Sequence, residues 1–100
     1  MKKIEAIIRK EKSTEICNML EQSGVGGITI LDARGFGHHR NGLQEKVKLE
    51  IYVDEFQLDK TIELICQHGR TGVTGDGKIA VVDLQNLYRI RTGESGANAI

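Results

Sequence analysis

The segment KVKLEIYV, residues 46–53, constrains the fold of this chain more than any other feature of the sequence. Every second position in it is aliphatic, at Val47, Leu49, Ile51 and Val53, and the positions between carry Lys46, Lys48, Glu50 and Tyr52. Successive side chains of a β-strand point to opposite faces of a sheet. The segment is therefore predicted to be a strand with one face on the core and the other face pointing away from it.

The rest of the chain predicts three more strands and two helices around this strand. Ser13 is expected to cap the first helix and Gly24 to end it, whereas the second helix is expected to begin at Asp54 or Glu55 and to end at Gly69. The predicted order is strand, helix, strand, strand, helix, strand, at residues 3–8, 13–24, 28–34, 46–53, 54–69 and 79–84.

This order is the split βαβ pattern of ferredoxin-like folds, an α+β class in which two helices lie on one face of an antiparallel sheet. A length of 100 residues leaves little room for a second core, so residues 1–100 are expected to form one domain. Other copies of the chain are expected to cover the second face of the sheet in a closed cyclic oligomer. Residues 89–91 are predicted as a last short strand, and residues 92–100 as a polar tail.

The charge balance excludes several classes of function. Fourteen basic and fourteen acidic side chains cancel, so no overall field attracts the chain to nucleic acid or anionic lipid, and any anion site must be local. No apolar run approaches the roughly 20 residues of a membrane span, and the first residues do not resemble a signal peptide. We therefore expect a cytoplasmic protein, with Cys17 and Cys66 as reduced thiols.

A glycine-rich loop, GVTGDGK at residues 72–78, is the first candidate site. It satisfies the GxxxxGK part of a P-loop, but Ile79 stands where Ser or Thr should hold magnesium, and the loop opens a strand instead of a helix. Backbone amides in such a loop can still surround phosphate oxygens, with Lys78 supplying a positive charge. The alternative is an ordinary glycine-rich turn.

Arg89 and Arg91 form the second candidate site. If residues 89–91 are a strand, both guanidinium groups point to the same side, away from Ile90. Two like charges side by side favour a polyphosphate as partner, although a solvated pair of arginines at a sheet edge is equally consistent with the sequence.

The loop after the second strand contains His38 and His39, which raise the possibility of a metal site. Adjacent residues in extended backbone point in opposite directions, and neither histidine has a Cys or carboxylate at ligand spacing, so a dedicated metal site is disfavoured. No nucleophile with an adjacent base, pair of carboxylates or cofactor motif is present either. The sequence therefore disfavours an enzyme.

Five segments together resemble the PII family of signal-transduction proteins. They are MKKIEAIIR at the start, GFG at 35–37, KVKLEIYV at 46–53, RTGVTGDGKI at 70–79 and RIRTGESGANAI at the end. The resemblance covers nearly the whole chain in the same order. It implies a ferredoxin-like homotrimer that binds ATP or ADP in clefts between neighbouring subunits and reports the energy state of the cell to a partner protein.

The resemblance also implies roles for particular residues. The glycine loop and Lys78 would hold phosphates, Arg89 and Arg91 would reach the same phosphates from the adjoining subunit, and adenine would lie near Thr29, Glu50 and Tyr52. The nucleotide site implied in this way comprises Ile7, Thr29, Gly35, Phe36, Gly37, His38, Lys46, Glu50, Tyr52, Thr71, Gly75, Asp76, Gly77, Lys78, Arg89 and Arg91.

The chain departs from the family pattern in its effector loop, the T-loop. Only eight residues, 38–45, separate Gly37 from Lys46, and the tyrosine that many bacterial members carry for uridylylation is absent. His38 and His39 replace an Arg–Gln pair whose glutamine helps the family to hold magnesium and 2-oxoglutarate. The departures favour a sensor of nucleotide over a sensor of 2-oxoglutarate, although Lys46 matches the family's lysine that contacts 2-oxoglutarate. They leave open whether nucleotide binding requires magnesium.

Two functions are therefore carried forward. The first is a PII-like regulator of a membrane transporter or metabolic enzyme, which contacts its partner through the loop residues His38, His39, Arg40, Asn41 and Gly42. The alternative is a ferredoxin-like trimer that binds metal or another small anion through His38 and His39. Hydrolysis of nucleotide is disfavoured because no side chain is evidently placed to orient water.

Overall fold

A computed structural model describes residues 1–39 and 42–100 of the chain. Its strands and helices are β1 (Lys2–Arg9), α1 (Ser13–Gln22), β2 (Thr29–Gly35), β3 (Gln44–Val53), α2 (Glu55–Gly69) and β4 (Gly77–Asp83), with 3-10 turns at Lys10–Lys12 and Gly96–Ala99. The strands form one antiparallel sheet in the order β2-β3-β1-β4. This arrangement confirms the predicted ferredoxin-like fold.

The core lies between the sheet and the two helices. Residues Ile4, Ala6 and Ile8 of β1 pair with Ile51, Leu49 and Val47 of β3, so that the aliphatic sides of the two central strands form one surface. Helix α1 adds Ile16 and Leu20 to this surface, and α2 adds Ile65. All of these side chains are buried, which confirms the alternation predicted for residues 46–53.

The ends of the elements differ from the prediction in several places. Ser13 is not a cap but the first residue of α1, because a 3-10 turn precedes it and its hydroxyl donates a 2.7 Å hydrogen bond to the Lys10 carbonyl. Asp54 does cap α2, since its Oδ1 accepts from the Gln57 amide at 2.8 Å. Strand β2 ends at Gly35 and strand β3 begins at Gln44, so the connection after β2 is residues 36–43 and not the predicted 38–45, with eight residues in both cases.

The predicted strand at residues 89–91 is wrong, because these residues form a turn. The Arg89 carbonyl accepts from the Gly93 amide at 2.8 Å, and the Arg89 amide donates to the Glu94 carbonyl at 2.8 Å. Gly93 closes the turn with a φ of 74°, and Ile90 at its tip is fully exposed. The alternation assumed for Arg89 and Arg91 therefore does not apply.

The second face of the sheet carries neither helix. Its centre is ionic, with Lys3 within 2.9 Å of Glu5 and Lys48 within 3.6 Å of Glu5 and 3.5 Å of Glu50. Apolar side chains on the outer strands flank these charges and are partly exposed, as at Leu31 and Val82. In the part of the chain that the structure describes, no helix is long and apolar enough to cross a membrane.

Candidate functional site

The glycine loop after α2 is closed by the carboxylate of Asp76. One carboxylate oxygen accepts from the amides of Thr71 and Gly72 at 2.9 Å each, and the other accepts from the Thr71 hydroxyl at 2.5 Å. The side chain of residue 76 thus binds the beginning of its own loop, and the loop has a defined shape.

Two cations from the central strands hold the same loop from outside. The Arg9 guanidinium donates to Asp76 Oδ1 at 2.9 Å and to the carbonyls of Thr74 and Val73 at 2.8 and 3.3 Å. The Lys46 ammonium donates to the Gly75 carbonyl at 2.6 Å. Arg9 and Lys46 are partners in the pairing of β1 with β3, so the sheet register places both cations at the loop.

These contacts fix the charge of Asp76. Hydrogen bonds from the Thr71 hydroxyl, from Arg9 and from the amides of Thr71 and Gly72 lower the pKa of the Asp76 carboxyl far below its usual range. Its carboxylate in turn raises the pKa of Arg9. The pair stays ionised at physiological pH, so the loop keeps its cross-links.

Two glycines allow the loop to lie against β1. Gly75 and Gly77 have φ angles of 106° and 99°, which side chains on other residues rarely permit. A Cβ on Gly77 would overlap the Ile7 carbonyl oxygen, and a Cβ on Gly75 would approach Arg9 and Lys46. Lys78 is the second residue of β4 and pairs with Ile7 in the sheet, so the glycine loop leads directly into β4.

A second group of candidate residues lines a groove of about 290 Å³ at the other end of β3. Thr29 and Glu50 are paired between β2 and β3, and Tyr52 follows on the same face. Arg89 also lines this groove, with its guanidinium donating to the Ile100 carbonyl at 3.0 Å and lying 3.2 Å from Glu94. The structure brings these four residues together within one chain, whereas the glycine loop lies outside the groove and Arg91 is exposed.

The remaining candidates lie at the end of β2. Gly35 pairs with Gln44, Phe36 is largely exposed, and the rings of His38 and His39 meet edge to face with centroids 5.7 Å apart. Among residues 1–39 and 42–100, no group of three or more His, Cys, Asp or Glu side chains could hold a metal. Arg40 and Asn41, which were predicted to contact a partner, lie outside the described residues.

Arg9 is the site residue that the sequence interpretation missed. The first strand was predicted as residues 3–8, which left Arg9 in the following turn, whereas Arg9 is the last residue of β1. Nothing in its local sequence distinguishes it from Lys10 or Lys12. Its contact with the loop follows from the strand register. Antiparallel pairing places Arg9 opposite Lys46 of β3 and one residue beyond the pair that Ile8 forms with Gly77 of β4.

Comparisons with known proteins agree with these features. The family model for nitrogen regulatory protein P-II matches residues 1–94. Nitrogen regulatory protein P-II 1 of Methanothermobacter thermautotrophicus is 43% identical over 113 aligned positions, covering 100% of this chain and 97% of the relative. Nitrogen regulatory protein P-II of Azospirillum brasilense is 39% identical over 112 positions, covering 100% of both chains.

A solved structure is similar in three dimensions as well. The crystal structure of Arabidopsis thaliana PII bound to citrate superposes with a TM-score of 0.86 at 39% sequence identity, and the match covers 98% of this chain and 87% of the plant protein. Both fold and sequence therefore point to the same family.

Proposed function

This chain belongs to the P-II family of nitrogen regulatory proteins, which are signal-transduction regulators and not enzymes, and on that premise we propose that it senses ATP and ADP and adjusts the activity of a partner protein. The observation that carries the proposal is the cross-linked glycine loop at residues 71–77. Asp76, Arg9 and Lys46 hold it in one shape. The amides of residues 71–73 donate to side-chain oxygens within the loop, so the amides of residues 74–76 are the ones that would receive an anion with little reorganisation.

The charges around the loop suit a polyphosphate. Arg9, Lys46 and Lys78 lie at or next to it, and Asp76, its one acidic residue, directs both carboxylate oxygens at protein donors. A phosphate would therefore meet a positive local field in a chain with no net charge. Lys78 follows Gly77 directly in the chain and is the lysine that the resemblance implies as a phosphate ligand.

The groove at Thr29, Glu50 and Tyr52 is the proposed adenine side of the site. Because it lies at the opposite end of β3 from the glycine loop, one chain does not join the two halves. We place the loop of one subunit opposite Arg89 and Arg91 of the next in a homotrimer, so that one nucleotide bridges two chains. The partner, a membrane transporter or metabolic enzyme, would contact the connection after β2 in the cytoplasm.

The structure supports a response to nucleotide without 2-oxoglutarate. Lys46, the residue expected to meet that ligand, already donates to the Gly75 carbonyl, and position 39 carries histidine in place of glutamine. The aligned relatives also extend over 112 to 113 positions against the 100 residues here, which supports a shortened loop without locating it. A metal site at His38 and His39 gains no support, since no third ligand is near among the described residues.

Calorimetric titration with ATP, ADP and 2-oxoglutarate, with and without magnesium, tests the proposal. We expect both nucleotides to bind and 2-oxoglutarate to leave their affinities unchanged. Arg91→Ala should weaken ATP binding by about 1.5–3 kcal/mol through loss of a charge-assisted phosphate bond. Lys60→Ala, which removes an exposed cation of α2 on the helical side of the sheet, is the control and should bind normally. Absence of nucleotide binding by the wild type at millimolar concentration would refute the proposal.

A further inference from the structure

Lys46 links the glycine loop to the strand that follows the effector connection. Its ammonium donates to the Gly75 carbonyl at 2.6 Å, and it is the third residue of β3, which begins at Gln44 directly after residues 36–43. The neighbouring residue Glu45 is also tied down, because its carboxylate lies 3.1 Å from the Lys10 ammonium. A side chain at the start of β3 therefore contacts the proposed phosphate loop directly.

Arg9 and Lys46 both bind carbonyl oxygens on the same side of the glycine loop. Arg9 and Lys46 together bind three consecutive carbonyls, those of Val73, Thr74 and Gly75. In a trans peptide the carbonyl of one residue and the amide of the next point in opposite directions. Since the structure contains no cis peptide among the described residues, cations that hold these carbonyls turn the amides of residues 74, 75 and 76 to the other side of the loop.

The same peptide groups connect Lys46 to any anion on that other side. A carbonyl that accepts a hydrogen bond from a cation polarises its peptide, and the amide of that peptide becomes a better donor. The Gly75–Asp76 peptide would then lie between the Lys46 ammonium and a phosphate oxygen. Because such coupling is reciprocal, a bound phosphate strengthens the bond from Lys46 to Gly75 to the same extent that Lys46 strengthens phosphate binding.

We propose that Lys46 is a positioning residue that orients the phosphate-binding amides through the Gly75 carbonyl and transmits nucleotide occupancy to the start of β3. The coupling rests on the proposed function, whereas the pinning of the loop by Lys46 does not. In this role the ammonium is held by the protein itself and is not available as the ligand of a dicarboxylate.

Lys46→Met removes the donor and keeps the aliphatic stem, and Lys60→Met is its matched control. Lys60 is an exposed lysine in the first half of α2, on the helical side of the sheet. We expect Lys46→Met to weaken ATP binding roughly tenfold, the effect of losing one charge-assisted hydrogen bond of modest strength, and Lys60→Met to change it less than about twofold. Lys46→Gln, whose amide is too short to replace the ammonium, repeats the test if the Met variant folds poorly.

Amide hydrogen exchange separates positioning from a general loss of stability. In the free protein, Lys46→Met should speed exchange at residues 73–77 severalfold while the buried strand β1 keeps wild-type rates. In wild type and Lys60→Met, saturating ATP should slow exchange at both 73–77 and 44–46. In Lys46→Met at a saturating ATP concentration, the slowing at 73–77 should remain and the slowing at 44–46 should disappear.

Two different results would overturn the inference, and each is distinct from failure of the proposed function. Equal exchange at 73–77 in free wild type and free Lys46→Met would remove the pinning role. Slowing at 44–46 that persists in ATP-saturated Lys46→Met would remove the coupling. A wild-type protein that binds no nucleotide would refute the proposed function and the coupling with it, while the comparison of the free proteins would still decide the pinning.

Discussion

Asp76 determines the shape of the glycine loop more than any other single residue. Its carboxylate accepts hydrogen bonds from the amides of Thr71 and Gly72, from the Thr71 hydroxyl and from Arg9. These donors come from both the loop and β1, so one ionised side chain closes the loop and attaches it to the sheet. A charged acceptor is required because each donor stabilises the carboxylate more than the neutral acid.

Replacing Asp76 by asparagine should therefore cost stability in a pH-dependent way. Folding lowers the pKa of Asp76 below its unfolded value of about 3.9, so its stabilising effect is complete well above that pH and is lost as the pH falls towards the lowered pKa. Urea unfolding of ligand-free protein should show Asp76→Asn less stable than wild type at neutral pH, with the difference shrinking below about pH 4. Glu5 and Asp83, whose pKa values are also lowered, are present in both proteins and cancel in the comparison. A difference independent of pH would contradict this role.

At the scale of whole elements, periodicity in the sequence predicted the strands and helices in their correct order. Residues 46–53 alternate strictly, and the second helix has both a capping aspartate and a terminal glycine, so local chemistry was sufficient there. The ends were less predictable because pairing decides them. Gln44 and Gly77 belong to strands only because Gly35 and Ile8 lie opposite them.

The errors at the site have the same origin. Arg89-Ile90-Arg91 alternates like a strand, but it has no neighbouring strand, and Gly93 favours a turn. Arg9 was missed because its role depends on register, which no local pattern contains. The glycine loop was recognised because glycine density is itself a local signal, although the cations that hold it were not all found.

A substitution at Gly77 tests how closely the start of β4 must approach β1 at the end of the glycine loop. An alanine there would place its Cβ on the Ile7 carbonyl oxygen of the neighbouring strand, at a φ of 99° that already disfavours a side chain. Gly77→Ala should destabilise the protein by roughly 3 kcal/mol or more, since backbone on both sides must move. Gly93→Ala is the control, because its φ is also positive but its Cβ meets no atom within 4 Å, and about 1 kcal/mol is expected. Equal losses in thermal or urea unfolding would show that β4 can shift away from β1.

At the scale of the whole molecule, the helix-free face of the sheet is the surface that neither α1 nor α2 covers. Lys3, Glu5, Lys48 and Glu50 satisfy one another at its centre, so the charges there could be covered without leaving an unpaired ion. Leu31 and Val82 flank them, each 42% exposed in the single chain. The alternation in the sequence predicts a sheet face that other copies of the chain cover. The number of copies in the oligomer depends on how the subunits associate, which no local pattern in the sequence contains.

The proposed trimer predicts that this face, and not the helical side, controls assembly. Wild-type protein should have a solution mass three times the 11.1 kDa of one chain by light scattering. Leu31→Arg, which places an unpaired charge among the apolar residues of the helix-free face, should reduce the mass towards that of a monomer. Phe56→Arg is the matched control, because Phe56 is 96% exposed at the start of α2 and should stay outside the assembly. A monomeric wild type, or a trimer that tolerates arginine at position 31 and not at 56, would exclude this arrangement and leave the two halves of the nucleotide site apart.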